Sequence, residues 1–457
     1  MARKWFAADP GRLRLRTAAR AVLGVGLAVA AAYAAGLPLP AMITGGLAAL
    51  LALFTVADPS VRAQALTTAL LPVAGLPVLA AGTALHDYPL VRDAVFLAVV
   101  LGGAYARRWG PRGHAVGIFA FMMFFVVQFL RAGTGQLAQI AAAVLLGLAM
   151  AAAVRFGAWC IERRTPPPAA VAAAAARGLA RVTTRQAVQV TAACALAMAV
   201  GHAVSSDRWY WAVGTAWWIF VNTASRGETL VRGFRRVLGT LCGIAVGLAV
   251  AVPIEGAAVP SAVVVAACVF GIFYTAAVSY SWMMFFVTVM VGVLYGLIGV
   301  LSPALLQLRA EQTAVGALAA ALAVVAVLPV TTHGQTDAWV RRALESVHAC
   351  TEAAGRRLRG CHAADPGAHL VEFELHLAKV RVCLAPLLHP LNPFTARKAR
   401  ARLILDLLDE CAAGLRGVAS AADEAAHHTH HGAVETAVSR LHAPLEASPR
   451  APYVPAA

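Results

Sequence analysis

Residues 114–130 read HAVGIFAFMMFFVVQFL, with no aspartate, glutamate, lysine or arginine, and the centre of that stretch, Met122–Val126, recurs letter for letter at Met283–Val287. Each copy lies inside an apolar run, and a helix needs about 20 such residues to cross roughly 30 Å of hydrocarbon. In hydrocarbon every backbone amide must be paired by the protein itself, which a helix achieves within one segment. Runs of this kind recur near 17–35, 40–57, 65–84, 90–106, 114–130 and 137–159, then near 186–204, 209–224, 236–253, 258–275, 281–299 and 312–330. They predict an all-α polytopic membrane protein with about twelve transmembrane helices. Hydrophobic residues make up 60% of the chain and charged residues 13%, about half the charge that a water-facing surface carries.

The charges that remain are clustered. Arg12, Arg14, Arg16 and Arg20 precede the first run, and Ala30–Ala35 ends it with small residues, an imitation of a signal peptide. Further spans follow instead of a polar chain, so the run reads as an uncleaved first span. The net charge of +16 raises nucleic acid as a partner. The basic residues gather beside the ends of apolar runs, however, which is the pattern of membrane orientation. Arg62, Arg107, Arg108, Arg112, Arg163, Arg164, Arg226 and Arg232 fall on one set of loops, and the alternate loops hold little beyond Arg92, Arg131, Arg208 and Arg309. That places both termini in the cytoplasm of an inner (plasma) membrane protein. The eight cysteines form no C-x-x-C pair and read as small buried hydrophobes in a reduced setting.

The two copies of the pentapeptide belong to a wider correspondence. Arg16–Gly36 lies over Arg185–Ser205, and the same shift lays Asp58–Gln64 over Gly227–Gly233. Six spans per unit return the chain to its starting side, so two six-helix repeats are parallel, related by a pseudo-two-fold along the membrane normal. The organisation this predicts is a first repeat over 1–164, a cytoplasmic linker helix over 165–184, a second repeat over 185–332, a cytoplasmic helical domain over 333–443 and a disordered tail over 444–457. The linker begins at Thr165-Pro166-Pro167-Pro168, which stops a helix, before an alanine-rich stretch that restarts one. In the C-terminal domain, apolar residues at helical spacing mark 336–360, 368–389 and 394–426. Asp365-Pro366 and Asn392-Pro393 have the form of a cap followed by proline at the first helical position.

The richest stretch for chemistry runs from Arg208-Trp209-Tyr210-Trp211 through Trp217-Trp218-Ile219-Phe220-Val221-Asn222-Thr223 to Arg226-Gly227-Glu228-Thr229-Leu230-Val231-Arg232-Gly233-Phe234-Arg235-Arg236. One reading is architectural. Trp209–Trp211 form an outer aromatic belt, the arginines an inner anchor, Glu228 and Arg232 an i,i+4 pair, and Gly239, Gly243 and Gly247 a close helix seam. The other reading is functional: Asn222, Thr223, Arg226, Arg232, Arg235 and Arg236 make an electropositive inner mouth that collects organic anions, and Trp217, Trp218 or Phe220 offers its face to an aromatic solute.

This stretch resembles the fusaric acid resistance protein family, which includes aromatic acid exporters and is similar to the plant aluminium-activated malate transporters. The resemblance rests on Tyr210-Trp211-Ala212-Val213 and on Arg226-Gly227-Glu228-Thr229-Leu230-x-Arg232-Gly233-x-x-Arg236-x-Leu238-Gly239-Thr240-x-x-Gly243. Arg309–Gly316 resembles the start of the family's last span. The likeness covers 185–330 well, 12–160 weakly, and the C-terminal domain not at all. Asn222-Thr223 stands where the family often has Gln-Pro. What the resemblance implies is transport of small, often aromatic or carboxylated anions.

Other features are weighed the same way. The two Met-Phe clusters either pack helices, face lipid or line an apolar pathway. Pro72 and Pro77 should break the third span, and unwound backbone at membrane depth can mark a solute site. His427, His428, His430 and His431 read as an exposed polar turn or a metal-binding tract. No enzyme motif, catalytic set, metal site or cofactor-binding pattern is found. Three functions remain open: an efflux permease for small organic anions, a passive anion channel, or a membrane scaffold whose cytoplasmic helical domain takes a protein partner or self-associates. The expected partners of the membrane part are the lipid bilayer and the anion, with no nucleic acid.

Overall fold

The computed structural model describes residues 9, 12–162, 178, 181–223, 225–328, 332–385, 387–388, 395–420 and 424–446. Most of the expected linker helix 165–184, the Asn392-Pro393 helix start and the tail beyond 446 lie outside these residues; Pro444 itself falls in the last helix. Among the described residues there are helices and short 3₁₀ turns and no strand. In chain order they are α1 (Leu13–Ala34), α2 (Leu39–Thr55), α3 (Val61–Ala84), α4 (Pro89–Ala106), α5 (Gly110–Leu130), α6 (Leu137–Glu162), α7 (Val182–Val204), α8 (Tyr210–Phe220), α9 (Arg226–Ile254), α10 (Ala258–Ala276), α11 (Tyr280–Leu297), α12 (Pro303–Ala326), α13 (Thr332–Leu358), α14 (Pro366–Leu384), α15 (Thr395–Ser420) and α16 (Glu424–Glu446). They form two compact units. One holds α1 to α8, α9 from Arg232 onward, and α10 to α12; the other holds Thr223–Val231 with α13 to α16.

Among the described residues, nine helical stretches are long and apolar enough to cross a membrane: α1, α3, Pro89–Leu130, Thr134–Gly157, α7, α9, α10, α11 and α12. Pro89–Leu130 is two helices folded back on each other. A 3₁₀ turn at Arg107–Trp109 and Gly110, at φ 77°, reverse the chain, and the Gly103 and Gly117 backbones then meet where neither has a side chain to hold them apart. The predicted eighth span is corrected. α8 has 11 residues, about 16 Å of helix, half of what hydrocarbon requires. Nearly all its side chains are buried, so it is an inner helix packed on α7 and α12.

The predicted break in the third span is also corrected: α3 continues from Val61 to Ala84 with Pro72 and Pro77 inside it. A proline removes one amide donor and so releases one carbonyl. Transmembrane helices tolerate this where neighbouring groups and local backbone adjustment satisfy what is freed. A third correction concerns α12, which starts well before the expected residue 312. Ser302 accepts a hydrogen bond from the Leu305 amide at 3.1 Å, and Pro303 takes the first helical position. Arg309, assigned to a loop from the sequence, is therefore inside the helix and buried.

In the larger unit α1 packs on α2, α6 and α10, while α7 packs on α8, α12 and α4. The α2–α6 seam is closed where Gly147 meets the Gly45 backbone, and the α8–α12 seam where Gly316 meets Ala212 and Thr215. α9 approaches α11 through Gly239, Gly243 and Gly247: Gly239 lies against the Ser281 carbonyl, and a Cβ at Gly243 would stand 2.7 Å from that of Thr288. Met122–Val126 is buried throughout, whereas in the second copy only Met283 and Met284 are buried and Phe285–Val287 are half-buried. Both copies thus pack helices, and only the second keeps a partly open flank.

The smaller unit pairs α13 with α14 and α15 with α16 around Val340, Phe373, Leu377, Leu408, Leu415 and Leu441. Asp365 caps α14 by accepting from the Gly367 and Ala368 amides at 3.0 and 3.3 Å. The histidine cluster, expected in a turn, lies on α16, where the His427 and His431 rings stack at 5.6 Å one turn apart. Gly417 makes room for the His430 ring. No set of three or more metal-ligating side chains is grouped among the described residues. Cys194, Cys242, Cys268, Cys350, Cys361, Cys383 and Cys411 are free thiols, and burial first, then the nearby Glu228, pushes the Cys383 thiol up to about 12.

The α9–α11 seam makes a direct prediction. Gly239→Val should lower the unfolding free energy by about 1–3 kcal/mol through overpacking, seen as an earlier thermal transition of the detergent-solubilised protein. Gly26→Ala, where nothing lies within 4 Å, should leave that transition in place.

Candidate functional site

α8 and the residue before it are met by rings from α4, α5 and α11. Trp217 stacks on Phe121 with centroids 4.4 Å apart and planes at 8°, Trp209 meets Phe96 at 5.8 Å, and Phe125 sets its ring across Tyr210 and Trp211, each at 5.5 Å. Trp209, Tyr210 and Trp211 are only 2%, 1% and 8% exposed. The outer aromatic belt expected from sequence is thus corrected, because a belt needs rings at the lipid–water boundary and these are spent on helix packing. Trp217, expected to face a solute, has one face on Phe121 and is 4% exposed.

The C-terminal end of α8 is where charge collects. A helix end leaves carbonyls without intrahelical partners, and its partial negative charge favours a cation. Arg107, from the turn after α4, donates from Nη1 to the Phe220 carbonyl at 3.2 Å. The chain then turns through Asn222 in the left-handed region, φ 60°, a conformation that asparagine adopts more readily than most residues. His114 Nε2, on the first turn of α5, lies 2.9 Å from Asn222 Oδ1.

Two arginines one turn apart on α9 complete the group. The Arg232 guanidinium lies 3.9 Å from the centre of the Tyr280 ring. Arg236 donates to the Tyr280 hydroxyl at 3.1 Å and to Met284 Sδ at 2.8 Å, and that hydroxyl donates to the Trp218 carbonyl at 3.3 Å. The Arg107 and Arg232 guanidinium groups are close enough to feel each other's charge, and His114 lies within reach of both. Among the described residues no carboxylate pairs with Arg107, Arg232 or Arg236, and the Nε of both Arg232 and Arg236 lacks a hydrogen-bond partner. The site is an uncompensated patch of positive charge on an aromatic and carbonyl frame, suited to attracting an anion.

Of the residues singled out from sequence, Asn222, Arg232 and Arg236 come together here. Arg235 is on the exposed side of α9. Thr223 and Arg226 group with the smaller unit, where Thr223 is buried beside the Thr229 hydroxyl at 3.2 Å. Glu228 interacts with Cys383 of the same unit, and Arg232 lies against Tyr280. Arg107, His114 and Tyr280 were not found as site residues, since Arg107 counted as an orientation charge and the other two carry no local signal. Farther along, His202 Nε2 and Asp93 Oδ2 lie 2.8 Å apart and join α7 to α4.

Residues 192–323 match a family model described as fusaric acid resistance protein-like. The matched segment includes Asn222, Arg232, Arg236 and Tyr280, and leaves out Arg107 and His114. No curated protein and no solved structure matches the chain. The match and the apolar helices together describe a multi-pass, membrane-transporter-like protein.

Trp217 offers the test of this packing. Trp217→Ala should cost about 3–5 kcal/mol of stability and Trp217→Phe much less, measured by thermal unfolding of the purified protein. An alanine variant as stable as its parent would mean that the ring does not belong to the core.

Proposed function

We propose that this protein is an inner-membrane efflux permease for small organic anions, aromatic ones included, with both termini in the cytoplasm and the eighth crossing completed by the non-helical residues on either side of α8. The observation that carries the reading is the patch of Arg107, His114, Arg232 and Arg236 at the end of α8, which has no acidic partner among the described residues. A patch of one sign raises the local concentration of the opposite ion and its rate of arrival by about 10–10³-fold. With the cytoplasm negative, expelling one anionic charge gains about 2.3 kcal/mol per 100 mV, so export needs no coupling ion.

The packing supports a parallel duplication of six helices, 1–164 and 185–332, around this route. A two-fold relating α1 to α7 and α4 to α10 turns the α1–α10 contact into the α7–α4 contact. The same operation turns the α2–α6 seam into the α8–α12 seam. In this reading residues 333–443 form the cytoplasmic helical domain and are the place for a protein partner or self-association.

Flux in proteoliposomes tests the proposal. Benzoate export should saturate with concentration, and Arg107→Gln with Arg232→Gln should slow it by about tenfold. Arg416→Gln, which breaks an exposed pair with Glu374, should not change it. Linear, unsaturable conductance would assign a channel instead, and no flux at all would assign the scaffold. Unchanged flux in the double variant at equal protein would remove the patch from the pathway.

A further inference from the structure

The opposite end of α8 holds a second arginine with no acid to answer it. Arg309, on α12, is 5% exposed, and its guanidinium carbon lies 4.0 Å from the centre of the Trp211 ring. The Tyr295 phenol interacts with it as well. Trp211 Nε1 donates to the Tyr295 hydroxyl at 2.9 Å, and Phe129 packs on both rings at 5.8 and 5.5 Å. Nearer the surface the half-buried Arg208 donates to the Tyr210 hydroxyl at 2.9 Å and lies 5.9 Å from the same Tyr295 ring. Two guanidinium groups, one half-buried and one buried, therefore both interact with Tyr295 and lead inward from the surface.

The directions of the bonds on Arg309 matter. A cation–π contact engages the flat face of a guanidinium, while its five N–H donors point outward in the plane. The Nε and Nη1 of Arg309 have no hydrogen-bond partner, and neither does the Oε1 of Gln312, one turn along the same helix. Among the described residues no carboxylate pairs with Arg309. Leaving charged donors unpaired away from water is costly, and in-membrane charges are otherwise paired or placed on solute pathways. The Trp211 ring accounts for the face of this side chain and the Tyr295 phenol for part of its edge, which leaves Nε and Nη1.

We propose that Arg309, with Trp211 and Tyr295, forms a binding site for a small organic carboxylate. The carboxylate would accept from the free guanidinium edge, and its hydrocarbon part would lie against the Trp211–Tyr295–Phe129 rings. Arg208 guides the anion between this site and the surface. The proposal rests on the transport reading above, and names a second station on the route, at the other end of α8 from Arg107 and near enough to Arg236 for the two charges to interact.

The test uses the full chain in lipid nanodiscs and 4-iodobenzoate, a carboxylate whose iodine quenches tryptophan fluorescence on contact. The wild-type protein should show saturable quenching, most of it lost in Trp211→Phe, and Arg309→Met should bind at least tenfold more weakly. Quenching of Trp211→Phe equal to wild type would overturn the site, as would wild-type affinity in a folded, monodisperse Arg309→Met. If Arg309→Met does not fold, the Trp211→Phe comparison decides alone. Benzoate flux measured on the same preparations separates the two claims. Flux without saturable quenching removes the site and keeps the transporter; saturable quenching without flux keeps the site and removes the transporter.

Discussion

A guanidinium group moved out of water must be answered by other polar or polarisable groups, and for Arg107, Arg155, Arg232 and Arg309 the answers include helix-end carbonyls and aromatic faces. Arg155 of α6 closes the end of α2, donating to the Val56 and Ala52 carbonyls, each at 2.9 Å. Arg107 closes the end of α8 through Phe220. Arg232 and Arg309 lie on the rings of Tyr280 and Trp211. Carbonyl dipoles and ring quadrupoles lower the desolvation cost without cancelling the charge; a cation–π contact is worth about 0.5–2 kcal/mol. A carboxylate would have cancelled it. The difference between stabilising an arginine and neutralising it is what the proposed function rests on: in that proposal the partner of Arg107, Arg232 and Arg309 is a mobile anion.

That arrangement requires an inner helix whose two ends are both reachable. α8 is too short to span hydrocarbon and is surrounded by α7, α12 and aromatic side chains. Its brevity brings a carbonyl end and an aromatic end to different depths, each met by arginines from other helices. The close seams at Gly147, Gly316 and Gly239 let the surrounding helices draw in far enough for those side chains to meet. Packing at the glycines and electrostatics at the arginines are therefore one design, since widening a seam would carry Arg236 away from Tyr280.

Much of the fold was legible because bilayer thickness imposes a length on apolar runs, and each expected span from 17–35 to 312–330 overlaps a helix. What hydropathy does not encode is which surface an apolar side chain meets. Trp209–Trp211 look the same in sequence whether they face lipid or α5, and only tertiary packing put them inside. Arg309 was misplaced although Ser302-Pro303 carried the signature of a helix start, because a charge seemed to forbid extending the span. Pro72 and Pro77 were overread, since a proline breaks a helix in water more readily than in a packed membrane unit. The site was half legible: the α9 arginines stand out in one run of sequence, but Arg107, His114 and Tyr280 arrive from segments far along the chain. The histidine tract belongs to α16, whose apolar face is carried by Val434, Ala437 and Leu441 beyond the point where the sequence reading ended the last helix.

The central claim is that the route selects for negative charge, and paired flux of benzoate and benzamidinium, two solutes of like shape and opposite charge, tests it most directly. In proteoliposomes under potentials of either sign, the account predicts protein-dependent movement of benzoate, faster when its compartment is negative, and movement of benzamidinium no greater than in protein-free vesicles. Benzamidinium moving as fast as benzoate under its own favourable potential would contradict it.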